Sequence, residues 1–241
     1  SCSTWFSKSS PRADLDIEIL QARDAEDLKD AGYDDVLYFG ADAGTVEELF
    51  AKVAPHGILN IVLCGDRFGR PITTMVGRVH YGGIRIIGTT DGDPADSMKH
   101  LPNTGEIRHG NRIDVVGAGG PMGMMHVIRN LCQGVEGVSV FAGDLDDNRL
   151  ATLTKIAGPL AEQNGVDYQA YNAKQGPGDE PFVYVVLMAP IPALVAKAVQ
   201  DAAPRGLINI FAGIPATVSG EIDLDTYIEK RLFFIGTSGW H

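Results

Sequence analysis

The sequence predicts an α/β protein built on a doubly wound parallel sheet, preceded by an incomplete half of the same kind, and three observations carry that prediction. From Leu15 onward, short β-branched or aliphatic runs alternate with stretches of helical period, the order of strand–helix–strand units. The runs are apolar throughout, as in parallel strands buried on both faces. Finally, Ile113-Asp114-Val115-Val116 delivers the chain into Gly117-Ala118-Gly119-Gly120-Pro121-Met122-Gly123 and then an apolar helix.

Residues 1–13 open the chain as a polar, Ser-rich stretch, read as a disordered start; it lacks the apolar centre of a signal peptide and begins with Ser, so it reads as a cut chain. A first unit, 14–91, holds strands at Ile17 to Gln21, Val36 to Phe39, Leu59 to Leu63 and Ile84 to Ile87. Helices are predicted between them at Ala25 to Asp30, Thr45 to Val53 and around Thr73 to His80. Residues 92–110 carry prolines, glycines and mixed charge with no sustained period, a connector. The second unit, 111–241, places strands at Ile113 to Val116, Val138 to Phe141, Tyr168 to Tyr171, Val183 to Met188, Leu207 to Phe211 and Leu232 to Ile235. Its helices fall at Met122 to Leu131, Asn148 to Ala161, Ala193 to Ala202 and about Leu224 to Glu229.

Composition narrows the function classes. The 241 residues are 44% hydrophobic and 21% charged, which excludes disorder and fits one large domain or two small ones. The longest apolar stretch, Phe182 to Ala196, contains Pro190 and Pro192 and stops at Lys197, short of the roughly 18 to 20 residues a membrane span needs. Lys plus Arg number 20 against 31 Asp plus Glu, a net charge of −11, which argues against nucleic acid and anionic lipid as partners. Cys2, Cys64 and Cys132 are far apart and form no C-x-x-C pair, so neither a disulfide framework nor a zinc knuckle is supported, and a reducing, cytoplasmic setting fits best.

An internal repeat gives the organisation. A shift of 149 lays Ala54-Pro55-His56-Gly57-Ile58-Leu59-Asn60-Ile61 over Ala203-Pro204-Arg205-Gly206-Leu207-Ile208-Asn209-Ile210, five of the eight pairs identical; one residue less lays Ile87-Gly88-Thr89 over Ile235-Gly236-Thr237. The second copy follows a strand, glycine turn, helix, strand and helix, and nothing comparable precedes the first. The first unit therefore reads as the back half of a doubly wound domain whose front half is missing. Its open apolar edge calls for cover, from the other unit or from a second copy in a homo-oligomer.

The glycine turn is an anion cradle: glycines let backbone N–H groups approach a pyrophosphate, and the helix N-terminus adds its positive dipole end. The spacing departs from strict G-x-G-x-x-G, since the sixth position is Met122; Gly117, Gly120 and Gly123 fit G-x-x-G-x-x-G. A turn of this kind also serves as a plain β-to-α connection. Asp144 follows Gly123 by 21 residues, near the tip of the next strand, where a carboxylate accepts from ribose hydroxyls; alone it reads as a solvated loop acid beside Asp146 and Asp147. Those acids oppose a 2′-phosphate, and the nearby cation, Arg149, sits a helical turn further on, so NAD is preferred over NADP.

These residues resemble the medium-chain dehydrogenases/reductases, a family that includes zinc alcohol dehydrogenases, sorbitol dehydrogenases and quinone oxidoreductases. The resemblance rests on Gly117 to Gly123, on Gly143-Asp144-Leu145-Asp146-Asp147-Asn148-Arg149-Leu150, on Pro204 to Gly213, and on Phe234-Ile235-Gly236-Thr237-Ser238-Gly239, covering about residues 107 to 241. It implies that the cofactor's pyrophosphate meets the turn at Gly117, Gly120 and Gly123, with Gly119, Pro121 and Met122 beside them among the cofactor-binding residues, and that Asp144 holds the ribose; Arg149, by its position, reads as lying along the adenine face or pairing with Asp146. The nicotinamide end would fall near Phe211-Ala212-Gly213 and Gly236-Thr237.

The activity implied is hydride transfer between nicotinamide C4 and an alcohol, polyol or carbonyl substrate, which includes sugars and sugar phosphates. The family's zinc ligands, a Cys, a Gly-His-Glu and a four-cysteine segment, have no counterpart here, so zinc would enter only through a domain absent from the chain, and the chain alone would be inactive. The rival reading is a dinucleotide-sensing or regulatory module without turnover. His56, His80, His100, His109, His126 and His241 stand singly and read as packing or surface residues, Cys64 and Cys132 as core or near-core thiols, and Met122, Met124 and Met125 as packing.

Overall fold

A computed structural model describes residues 24–236. The strand at Ile17 to Gln21, the start 1–13, Cys2, Thr237 and His241 lie outside the described residues. The first unit forms β1 (Tyr33–Phe39), α1 (Ala43–Lys52), β2 (Val53–Val62), β3 (Ile72–Thr74), α2 (Gly77–Gly82) and β4 (Arg85–Thr89). Helix α1 starts where Asp42 accepts from the Thr45 N–H at 2.8 Å, a cap of about 1 kcal/mol, and buries Val46, Leu49 and Phe50 at helical spacing. A short α3 (Pro94–Met98) follows in the connector, begun by the Asp93 carboxylate on the Ala95 N–H and by Pro94 in its first turn.

The second unit runs β5 (Arg112–Val116), α4 (Pro121–Cys132), β6 (Ser139–Asp144), α5 (Asp147–Asn164), β7 (Asp167–Asn172), β8 (Phe182–Leu187), α6 (Pro192–Asp201), β9 (Ala202–Ile210), β10 (Gly220–Ile222), α7 (Leu224–Glu229) and β11 (Phe233–Ile235). Its six strands lie parallel in the order β11-β9-β8-β5-β6-β7, the doubly wound topology the sequence predicts. The first unit's smaller parallel sheet, β1-β2-β4, repeats β8-β9-β11, with α1 and α6 in register at the same offset of 149.

Local corrections have local causes. The helix expected at Ala25 to Asp30 is a single 3-10 turn, Ala25–Asp27. The helix expected around Thr73 to His80 divides into β3 and α2, because Ile72–Thr74 is taken up by pairing with β10. Strands β2 and β9 begin early and slip register before Gly57 and Gly206, where His56 and Arg205 hold left-handed φ of 65° and 62°.

The two units meet about a pseudo-two-fold axis. Strands β3 and β10 pair antiparallel, Ile72 with Ile222, Thr73 with Glu221 and Thr74 with Gly220. At an offset of 148 Thr73 falls on Glu221, so that pair maps onto itself and the Ile72–Ile222 and Thr74–Gly220 pairs map onto each other with their members exchanged, the mark of a self-complementary contact. Around the axis, Gly88 lies against Ile228, and the equivalent Gly236 lies against His80 and Val79. Tyr227 is wholly buried between the units, donating to the Ile86 carbonyl at 2.8 Å and accepting from the Phe234 N–H at 3.1 Å.

One apolar core runs from Val46, Phe50, Leu59 and Ile61 of the first unit to Val185, Leu187, Val195 and Ile208 of the second. A second core, with Val115, Val127, Leu131, Val140 and Leu153, fills the space beneath α4 and α5. Each fully buried aliphatic side chain contributes about 1.5–3 kcal/mol, so the shared core is much of what stabilises the small sheet.

Candidate functional site

The turn after β5 is fixed by the neighbouring strand. The N–H groups of Gly117 and Ala118 both donate to the Gly143 carbonyl, at 2.8 and 2.9 Å, and the Gly119 N–H donates to Asp144 Oδ2 at 2.9 Å. Gly117 has φ 88°, a left-handed conformation that glycine adopts without strain. Gly123 brings α4 against the turn, since a Cβ there would strike the Gly117 carbonyl and Ala118. Gly120 differs: a Cβ on it would meet nothing nearer than 3.9 Å, and it faces open space. The missing third glycine of the strict motif is thus supplied one residue later, by Gly123.

That open space is a cleft of about 730 Å³ at the carboxyl ends of the strands, where open α/β sheets bind ligands. Gly117 and Gly120 form one wall, and Asp144, Leu145, Asp146 and Arg149 another. Helix α4 points its N-terminus here, and its first-turn amides have no acceptor within the helix, which leaves donors and a positive dipole end for an anion. Asp144 is also held by the Asp146 N–H at 3.0 Å, and Asp146 caps α5 through the Asn148 and Arg149 amides. Arg149 Nε lies 3.7 Å from Asp146 Oδ2 with its side chain 62% exposed, a pair of little energetic weight that leaves the guanidinium free to swing.

Deeper in the cleft, Asp114 of β5 accepts from the Tyr171 hydroxyl at 2.9 Å. Burial pushes its carboxyl up to about 7, opposed by that hydrogen bond and by Lys197, and aided by Asp201. Burial and the neighbouring Asp114 raise the Tyr171 hydroxyl as well, which keeps it a donor. The Tyr171 ring lies over Gly143, whose carbonyl holds the glycine turn, so the pair is tied to the cradle.

The structure therefore brings Gly117, Gly120, Asp144 and Arg149 together around one cleft, with Gly119 and Gly123 shaping the turn. Pro121 and Met122 begin α4, exposed, Met122 by 45%. Ala212 is buried, its N–H donating to the Leu187 carbonyl at 2.8 Å. Gly213 lies beside Tyr81 of α2, and Gly236 against Val79 and His80. His80 is a buried packing residue, whereas Cys132, expected in or near the core, is exposed at the end of α4; Cys64 is partly buried. Among the described residues no group of three or more His, Cys, Asp or Glu comes together around a metal position. Asp114, Tyr171 and Tyr81 escaped the sequence reading, although an acid inside an apolar strand next to a glycine turn was a visible signal.

Fold and site together define a doubly wound α/β domain with a glycine turn that opens onto a cleft. No protein-family model matches the chain. It is 28% identical over 146 residues to the uncharacterized protein YggP of Escherichia coli strain K12, a match covering 55% of this chain and 34% of that protein; the chain thus spans about a third of the length of this curated relative. Among solved structures it is similar to a short chain alcohol dehydrogenase (rspB) of E. coli CFT073 in complex with NADH, with 24% identity, 55% of this chain, 37% of that one and a TM-score of 0.43. Alcohol dehydrogenase TADH from Thermus sp. ATN1 gives 24% identity, 55% and 38% coverage and a TM-score of 0.43. An alcohol dehydrogenase zinc-binding domain protein from Burkholderia ambifaria gives 20%, 54%, 34% and 0.43. No helix among the described residues is long and apolar enough to cross a membrane.

Proposed function

We propose that the second unit binds a nicotinamide dinucleotide, NAD(H) ahead of NADP(H), and that the chain is the cofactor-carrying part of a medium-chain-type oxidoreductase acting on a small alcohol, polyol or carbonyl compound in the cytoplasm. One observation carries this reading: the turn Gly117–Gly120 opens onto a cleft whose adjacent wall is the carboxylate of Asp144, itself bonded to the Gly119 amide. The residues fit the group, because Gly120 leaves room at the point where a pyrophosphate meets the first turn of α4. Asp144 would accept from the adenosine ribose hydroxyls, and with Asp146 it would repel a 2′-phosphate. Arg149 would lie along the adenine. The bound nicotinamide would supply or take up hydride, and the protein's part is to bind, orient and exclude water.

The test is titration of NADH and NADPH, followed by reduced-nicotinamide fluorescence, with wild type and Asp144→Asn. Asparagine keeps an acceptor for the Gly119 amide and removes the charge. Wild type should prefer NADH by about tenfold or more, and the variant should bring the two within about threefold. Equal wild-type affinities, or no saturable binding, contradict the assignment.

A further inference from the structure

The first unit shows no glycine turn among its described residues, yet its α2 reaches the loop that leaves β9 of the second unit. His80 anchors it there: its Nδ1 lies 2.9 Å from the Ile210 carbonyl oxygen, and its ring meets Phe211 edge-on at 6.4 Å between centroids. Next to it, the Tyr81 ring packs edge-on against His80 at 4.7 Å and is 61% exposed. The Tyr81 hydroxyl stands 2.8 Å from where a Cβ on Gly213 would be. This loop is tied to the cleft by the Ala212 amide on the Leu187 carbonyl, and Leu187 and Met188 line the cleft wall.

The pseudo-two-fold axis supplies a built-in comparison. An offset of 148 carries Tyr81 onto Glu229 of α7, whose carboxylate pairs with Arg67 at 3.1 Å beside the post-β2 loop of the first unit. The two ends of one symmetric contact thus carry different chemistry. The end facing the unit without a described glycine turn holds an ion pair, and the end facing the unit with one presents an uncharged, exposed ring.

We infer that the first unit takes the place of a second subunit and lends Tyr81 to the second unit's site, where the ring packs against the nicotinamide base, in the half of the bound dinucleotide remote from Asp144. This rests on the cofactor reading above. The position at the carboxyl end of β9, on the side away from Asp144 in the sheet order, suits that half of an extended dinucleotide. An aromatic ring offers it an apolar face with a hydroxyl at its edge.

The experiment titrates the full chain with NADH and with ADP-ribose, which lacks nicotinamide, by calorimetry. Tyr81→Ala should weaken NADH about five- to twentyfold and leave ADP-ribose within about twofold, while Tyr81→Phe should hold both within about twofold. Glu229→Ala, the reciprocal position, should change neither. Unchanged NADH affinity in Tyr81→Ala, or an equal loss for both ligands, overturns the inference while the cofactor reading stands. Failure of wild type to bind either ligand overturns both.

Discussion

Asp114 puts a carboxyl where a strand of this kind buries an apolar side chain, and its cost depends on pH. It is 5% exposed, and the groups around it are Tyr171, Lys197, Asp201 and Arg112, the last lying over the Phe141 and Phe182 rings at 3.8 and 4.4 Å. Its folded pKa of about 7 stands above the ordinary carboxyl value of 3.8. Between those values the unfolded chain has released a proton that the folded chain keeps, so stability falls as pH rises through that window and stays reduced above it. Asp114→Asn, which retains an acceptor for Tyr171, should stabilise the protein at pH 8 by an amount on the order of a few kcal/mol, and by clearly less at pH 5. Urea unfolding at the two pH values measures this; an equal difference at both would show that Asp114 ionises as freely in the fold as outside it.

Between elements, the closest approaches are those across the pseudo-two-fold axis. A Cβ on Gly236 would fall on the backbone of Val79 and His80, atoms that have no side-chain freedom with which to yield. Gly236→Ala should therefore lower stability by about 2 kcal/mol or more, while Gly120→Ala, with open space around it, should be nearly neutral; thermal melts of both compare them. Identical melts would mean that the two units do not meet as described. Elements with their own signal were legible in the sequence: β5 and β8 as apolar runs, α5 from its period, and α7 about where it forms. Strand β10 was not, because three residues, Gly-Glu-Ile, carry no pattern until β3 pairs with them. The early starts of β2 and β9 were hidden by Pro55 and Pro204, which argue against a regular strand. Helix α3 had a cap and a proline in place, but mixed charge and glycines around it concealed so short a turn.

For the whole molecule, the repeat foretold that the first unit is built like the second unit's back half, and β1-β2-β4 against β8-β9-β11 shows that correspondence. It did not foretell how the units sit, since periodicity marks which face of an element is apolar and not what covers it. The shared core answers that: α6 and α7 of the second unit and α1 of the first pack into one cluster. The glycine turn was legible for a related reason, because it is a local backbone device written in consecutive residues. The contribution of Tyr81 depends on a contact across the axis and has no local signature.

If the turn after β5 holds a dinucleotide in the cleft beside Asp144, NADH titrated into ¹⁵N-labelled protein will register there amide by amide. Saturable shifts are expected at Ala118, Gly119, Gly120, Met122 and Leu145, with their loss in Gly120→Val while the rest of the spectrum and the melting temperature are retained, since that side chain enters the cleft and not the protein. Saturable shifts confined to other parts of the chain, or the same shifts persisting in Gly120→Val, would contradict it.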